Sequence, residues 1–254
     1  AAVSGDGYLK GIREYDAEKA VDAMIRSSNI NKKGSDYYVV QGFIPSNIKR
    51  ESVSCTLEYA YDDWAISRMA GAMGRDDVAR EYAQRALNYA NVFDGSTCFF
   101  RGRGTDGNWS EPFEEFATGR DYTEATPWHY RFFDVADVTG LMGQYAHGNE
   151  PSHHMAYLYN YVGQPWRTQE LTRSLLHGMY APTPAGIIGN EDCGQMSAWY
   201  IFSSLGFYPV CPGSNQFALT APQFPKAVVR LANGRTLTVT ANNPRRNTYI
   251  ASVT

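Results

Sequence analysis

The chain has 254 residues, 23 basic and 26 acidic side chains, a net charge of −3, and 43% apolar against 19% charged residues. That is enough for one large domain or two small ones and excludes disorder, collagen and coiled coil. No basic run exceeds two residues, which leaves no electrostatic footprint for nucleic acid or an anionic membrane, and no stretch approaches the roughly 18 apolar residues of a membrane span.

Ala1 to Lys10 lacks the charged-then-apolar layout of a signal peptide. From Asp16 to Ser28, Ala17, Ala20, Val21, Ala23 and Met24 fall at helical spacing, and residues 29–34 break it. A Gly-Phe-Ile-Pro loop at 42–45 leads to a helix capped near Ser54 and running to about Met73, with Leu57, Ala60, Tyr61, Trp64, Ala65 and Met69 as its buried stripe. A turn at 74–77 and a helix over 78–92 complete an αα-hairpin. Residues 94–121 are aperiodic and read as a long functional loop. Helices are predicted over 124–133, 153–162, 167–180 and 195–205. After Pro212 the pattern becomes β: Phe217 to Thr220, Ala227 to Leu231, Thr236 to Thr240 and Thr248 to Ser252 are short and alternating, with Asn233-Gly234 as a hairpin signal. Paired helices with chemistry in their connections point to an α/α toroid, mainly α, with a helical domain over 1–212 and an antiparallel β segment over 213–254.

Four stretches are dense in chemistry. Asn190-Glu191-Asp192-Cys193-Gly194-Gln195 sets two adjacent acids before a helix, where one would serve as a cap. Gly148-Asn149-Glu150-Pro151-Ser152-His153-His154 carries two histidines, but neighbours on a helix point about 100° apart and do not share a zinc ion easily. Asn149 and Glu150 offer oxygen ligands suited to calcium instead, while His153 serves equally as an ordinary first-turn residue. Glu124 sits among Tyr122, Trp128, His129 and Tyr130, where desolvation would raise the pKa of a general acid; capping by Thr123 with Glu124 in the first turn is the alternative. Glu58, Asp62 and Asp63 place like charges at helical i, i+4 spacing, either a site wall, a buried hydrogen-bond network or a solvated face. The four cysteines have no metal or redox spacing and read as buried thiols. The 14% aromatic content suits a large core and also surfaces that stack on sugar rings.

Residues 51–64, 122–132, 143–154, 157–161 and 189–199, in that order, resemble glycoside hydrolase family 92, exo-acting calcium-dependent α-mannosidases. The resemblance implies part of an (α/α)6 barrel joined to a β-sandwich and inversion at the anomeric carbon. It places Glu124 as general acid and Asp192 as general base, with Asn190 where some members carry a second acid. It puts Ca2+ at Asn149 and Glu150, and mannose contacts at Trp128, Glu58, Asp62, Asp63, His153, Glu191 and Gln195. The substrates it implies are mannose-containing oligosaccharides or N-glycans, with a lean to α-1,2 linkages. An inverting pair needs carboxyl groups about 6.5–9.5 Å apart, so that water fits between acid and base. The resemblance also implies an N-terminal β-sandwich half as partner, an extracellular or periplasmic location, and some tens more residues between Phe133 and Val138 than this chain carries. A non-catalytic carbohydrate-binding or scaffold fragment, or another α/α-toroid glycosidase, is the competing expectation.

Overall fold

The computed structural model describes residues 1–30, 33–131, 147–231 and 233–254. The junction at 133–138, where the resemblance implies additional residues, lies outside the described residues. The chain divides into two compact units, one holding Ala1–Asp134 with Pro212–Asn215, the other Val135–Cys211 with Gln216–Thr254. These units do not coincide with the change from helix to strand near 212.

The first unit is built on α4 (Ser52–Ala72), against which α1 (Ala2–Leu9), α2 (Ala17–Ser28) and α5 (Asp76–Arg85) pack. α2 follows its sequence signal, since Asp16 caps it by accepting from the Lys19 N–H at 3.0 Å. α1 and α3 (Ser35–Gln41) carry no such signal. Gly5 and Gly7 are poor helix formers, yet a Cβ at Gly5 would stand 3.1 Å from the Ala65 carbonyl oxygen, so the missing side chain is what lets α1 approach α4. Val21, Met24, Ile66, Met69, Ala70 and Tyr82 form one core of this unit, and Phe43, Val53, Leu57, Val92, Phe100, Tyr122 and Tyr130 belong to a second. Of the predicted stripe, Leu57, Ala60, Ala65 and Met69 are buried, whereas Tyr61 and Trp64 are half-buried and stack on each other at 5.8 Å. The helix expected over 78–92 ends as α-helix at Arg85 and continues as a 3₁₀ turn, Ala86–Val92. The 94–121 loop begins with a tight hairpin, β1 (Phe93–Asp94) with β2 (Phe99–Phe100). Buried Arg101 then ties it together through ion pairs of 2.7 Å to Asp94 and to Glu111.

In the second unit α7 (Pro165–Gly178) and α8 (Gln195–Leu205) follow the predicted spans closely. The segment expected as a helix over 153–162 is instead 3₁₀, Met155–Val162, with Met155 to Tyr159 all buried. β3 (Phe207–Tyr208) pairs with β4 (Ala218–Leu219), and β5 (Lys226–Arg230) with β6 (Thr236–Thr240) in a register that sets Val228 opposite Thr238. The Asn233-Gly234 signal is fulfilled: Gly234 takes φ 78° and the Leu231 N–H donates to the Arg235 carbonyl at 2.8 Å. The strand expected over 248–252 does not form, because the Ile250 N–H donates to Gln169 Oε1 at 3.0 Å and joins no ladder. The thiols also depart from expectation: Cys55 and Cys211 are half-buried, Cys98 and Cys193 are exposed, and all four are free. Among the described residues no helix is long and apolar enough to cross a membrane.

Candidate active site

The candidate residues fall into two groups, one in each unit. In the first, α4 opens without a side-chain cap of its own. Carbonyl oxygens of the 119–123 segment take that role: Arg120 accepts from the Glu51 N–H at 2.6 Å, and Asp121 from Val53 and Ser54 at 3.0 and 3.2 Å. α4 therefore starts two residues before Ser54. Ser54 Oγ, buried inside that first turn, instead accepts the Thr123 N–H at 2.8 Å. This bond fixes the residue before Glu124. Thr123 is not a helix cap, and the helix expected to begin at Glu124 begins at Pro127, with Thr126 hydrogen-bonded to His129 Nδ1 in its first turn (α6, Pro127–Arg131). Glu124 itself is exposed and holds φ 50°, a left-handed conformation that a glutamate rarely adopts and that surrounding anchors must enforce.

Four residues on, Trp128 is half-buried, edge-on to Phe99 at 5.0 Å and stacked on the exposed Phe116 at 6.3 Å. The Arg131 guanidinium lies 4.8 Å from the Trp128 ring, and its indole N–H is buried with no partner among the described residues. The acid cluster of α4 separates into different environments. Glu58 is exposed, yet desolvation by surrounding protein, and then the charge of Asp62, push its carboxyl above the usual range. Asp62 remains partly exposed. Asp63 is 1% exposed and accepts from Tyr38 Oη at 2.9 Å and Arg85 Nε at 3.0 Å. Desolvation raises its pKa to about 6, against the lowering by Arg85 and Tyr38. Of the alternatives open in the sequence, Asp63 realises the buried hydrogen-bond network.

In the second unit two predicted motifs meet. Gly148 and Gly189 are packed backbone to backbone, so that a Cβ at Gly189 would stand 2.1 Å from the Gly148 carbonyl oxygen. Glu191 is the acid that caps α8, accepting from the Ser197 N–H at 3.1 Å and Ser197 Oγ at 2.9 Å. Asp192 is thereby released from capping. It is exposed and its carboxylate makes no hydrogen bond or ion pair among the described residues, and it precedes Cys193 and Gly194, which hold φ 52° and 76°. The opposite loop presents Asn149 and Glu150, both half-buried, and Glu150 Oε1 is buried without a partner among the described residues.

A buried carboxylate oxygen with no partner among the described residues fits a hard cation, although no group of three His, Cys, Asp or Glu side chains converges among the described residues. His153, by contrast, is 1% exposed with both ring nitrogens engaged: Nε2 donates to the His147 carbonyl at 3.0 Å and Nδ1 accepts from Gln195 Nε2 at 3.2 Å. Gln195 Nε2 also donates to Tyr208 Oη at 3.0 Å. His147, equally buried, meets Tyr180 Oη at 2.7 Å and packs edge-on to Trp199 at 4.3 Å. Burial, then the neighbouring His153, depress its pKa to about 4.

Comparison with known proteins converges on one family. A model described as the glycosyl hydrolase family 92 catalytic domain matches the chain in two segments, residues 1–143 and 136–254. The chain belongs to glycosyl hydrolase family 92. Two solved family 92 structures from Bacteroides thetaiotaomicron are similar to it over 95% of its length: the α-mannosidase BT3965, 37% identical with a TM-score of 0.87, and the inverting mannosidase BT2199, 34% identical with a TM-score of 0.86. The chain covers 36% and 40% of those two proteins. A curated relative from Arthroderma benhamiae, described as an uncharacterized secreted glycosidase, is 24% identical over 315 residues, which take in 99% of this chain and 40% of that protein. The family 92 chain described here thus spans well under half the length of the relatives it matches.

Sequence reasoning singled out Glu124, Asp192 and the Gly148–Glu150 loop as candidates but missed what holds them. The signals existed: a serine on the first turn of α4, and a glycine at the head of each motif loop in the second unit.

Proposed function

We propose that this chain is the catalytic portion of an inverting, calcium-dependent exo-α-mannosidase, extracellular or periplasmic, acting on α-1,2-linked mannose in oligosaccharides or N-glycans. The observation that carries the reading is that Glu124 and Asp192, the carboxylates at the family's motif positions, are both exposed on loops with left-handed backbone, while the adjacent Glu191 does the capping. Family membership and the likeness to two mannosidases, one described as inverting, support it. The helices over 1–212 would form part of an (α/α)6 barrel, the 213–254 segment would end that domain, and an N-terminal β-sandwich half would be the partner.

In this mechanism Glu124, protonated, gives its proton to the glycosidic oxygen as the bond to the anomeric carbon breaks. Asp192, ionised, takes a proton from the water that attacks the opposite face, so an α-mannoside releases β-mannose. Inverting pairs of this kind hold their carboxyl groups about 6.5–9.5 Å apart, so that the attacking water fits between acid and base. Trp128 and the carboxylates of Glu58 and Asp62 would line the sugar. Asn149 and Glu150 would hold Ca2+, which would supply a hard Lewis-acid centre for oxygen atoms of the sugar.

The test is hydrolysis of α-1,2-mannobiose by the full protein, with the anomer of the product read by NMR and a chelator arm in parallel. β-Mannose release abolished by the chelator is expected. Release of α-mannose would overturn inversion, and chelator-insensitive turnover would overturn the calcium role. Binding of mannobiose without hydrolysis would favour the carbohydrate-binding reading.

A further inference from the structure

Both ring nitrogens of His153 are consumed, and their partners lie on opposite sides of the second unit's site. Nε2 donates to the carbonyl of His147, the residue preceding Gly148, and Nδ1 accepts from Gln195, the first residue of α8 and the third after Asp192. The backbone of His153 adds a third tie, since its carbonyl accepts the Trp199 indole N–H at 3.0 Å. His147 and α8 are joined again through Tyr180, whose hydroxyl meets His147 Nε2 at 2.7 Å and donates to the Met196 carbonyl at 3.2 Å. His147, His153, Met196 and Trp199 are all buried to within about 1%. A hydrogen-bonded network anchored in a packed core resists displacement, because breaking a buried member leaves a buried group unpaired.

We infer that His153 and Gln195 are positioning residues: with His147 they form a hydrogen-bonded bridge that holds the loop of Asn149 and Glu150 at a fixed distance from Asp192. The inference rests on the mannosidase reading for its catalytic consequence but not for its structural content. It also moves His153 from sugar contact to support, since a residue 1% exposed with both nitrogens occupied has nothing left to offer a mannose hydroxyl. Gln195, at the half-exposed end of the bridge, is the better place to break it, because its amide is replaced by a methionine of similar shape with little cost to packing.

The experiment is amide hydrogen exchange and steady-state kinetics on the full protein with Gln195→Met, and with His153→Asn, which retains an acceptor near the Nδ1 position. For Gln195→Met, exchange should quicken about five- to tenfold in the peptides covering both 147–153 and 189–197, with α7 unchanged. kcat on mannobiose should fall by a similar factor with KM within about threefold, the signature of misplaced groups rather than lost substrate contacts. His153→Asn should leave 189–197 closer to the unaltered protein than Gln195→Met does. Quickened exchange confined to 189–197 in Gln195→Met would overturn the bridge, and a raised KM at constant kcat would return Gln195 to sugar contact. If the unaltered protein hydrolyses no mannoside, that result counts against the mannosidase reading alone, and the exchange arm still decides the bridge.

Discussion

The two loops that carry the candidate acid and base are anchored by different means. Glu124 is held by a side chain: Ser54 Oγ, on the first turn of a 21-residue helix, takes the N–H of the preceding residue. Asp192 is held by main chain against main chain, with Gly189 seated on Gly148 and a histidine-glutamine bridge behind it. A side-chain anchor is lost one hydrogen bond at a time, whereas a backbone anchor with no space for a methyl group fails at once.

The largest effects should come from the acids themselves. Glu124→Gln and Asp192→Asn are each expected to lower kcat on mannobiose by about 10²–10⁴ while leaving the thermal midpoint nearly unchanged; a near-normal rate in either would remove that residue from its role. Next is Gly189→Ala, where a Cβ would meet the Gly148 carbonyl oxygen at 2.1 Å on a backbone with φ 68°. We expect a loss of about 2–4 kcal/mol in chemical denaturation, larger than that of Ser54→Ala, whose removal of one buried acceptor should cost about 1–2 kcal/mol. Equal losses would erase the contrast between the two anchors.

The smallest expected effect is on pH dependence, and its sign differs between the units. Asp63 has its pKa raised from 3.8 to about 6, so in that window the folded state binds more protons than the unfolded one, and this group's contribution weakens as pH rises from about 4 to about 6. His147 has its pKa lowered from 6.5 to about 4, so there the unfolded state binds more protons, and its contribution strengthens as pH rises through the same range. Between pH 4 and 6, the stability of Asp63→Asn relative to the unaltered chain should climb with pH and that of His147→Gln should decline. Denaturation midpoints measured at several pH values check both slopes, and parallel slopes would contradict the assignment.

The elements legible in the sequence are those with a local cause. α2 has Asp16 as its cap, α8 is bounded by Gly194 and Gly206 in left-handed conformation, and β5 with β6 has alternating residues around Asn233-Gly234. α1 was hidden because its glycines argue against a helix, and only the close approach to Ala65 explains Gly5. The 153–162 segment has the apolar content of a helix but winds as 3₁₀, with five consecutive buried residues from Met155 to Tyr159, a burial no amphipathic pattern encodes. The site divides in the same way. Motif residues such as Glu124, Asp192, Asn149 and Glu150 stand out as acids and amides in unusual company, while Ser54, His147 and Tyr180 acquire their part through partners 16 to 69 residues distant.

By itself the sequence determined the helical class, the positions of the chemistry-bearing loops and the family, because helix caps, turn residues and motif order are local and directional along the chain. Only the tertiary structure decided which of two adjacent acids would cap α8, that Asp63 would turn inward to Arg85, and that His153 would spend both nitrogens on the protein. Each of those outcomes depends on which polar group finds a partner when water is removed, and that is fixed by packing across the fold, not by neighbours in sequence.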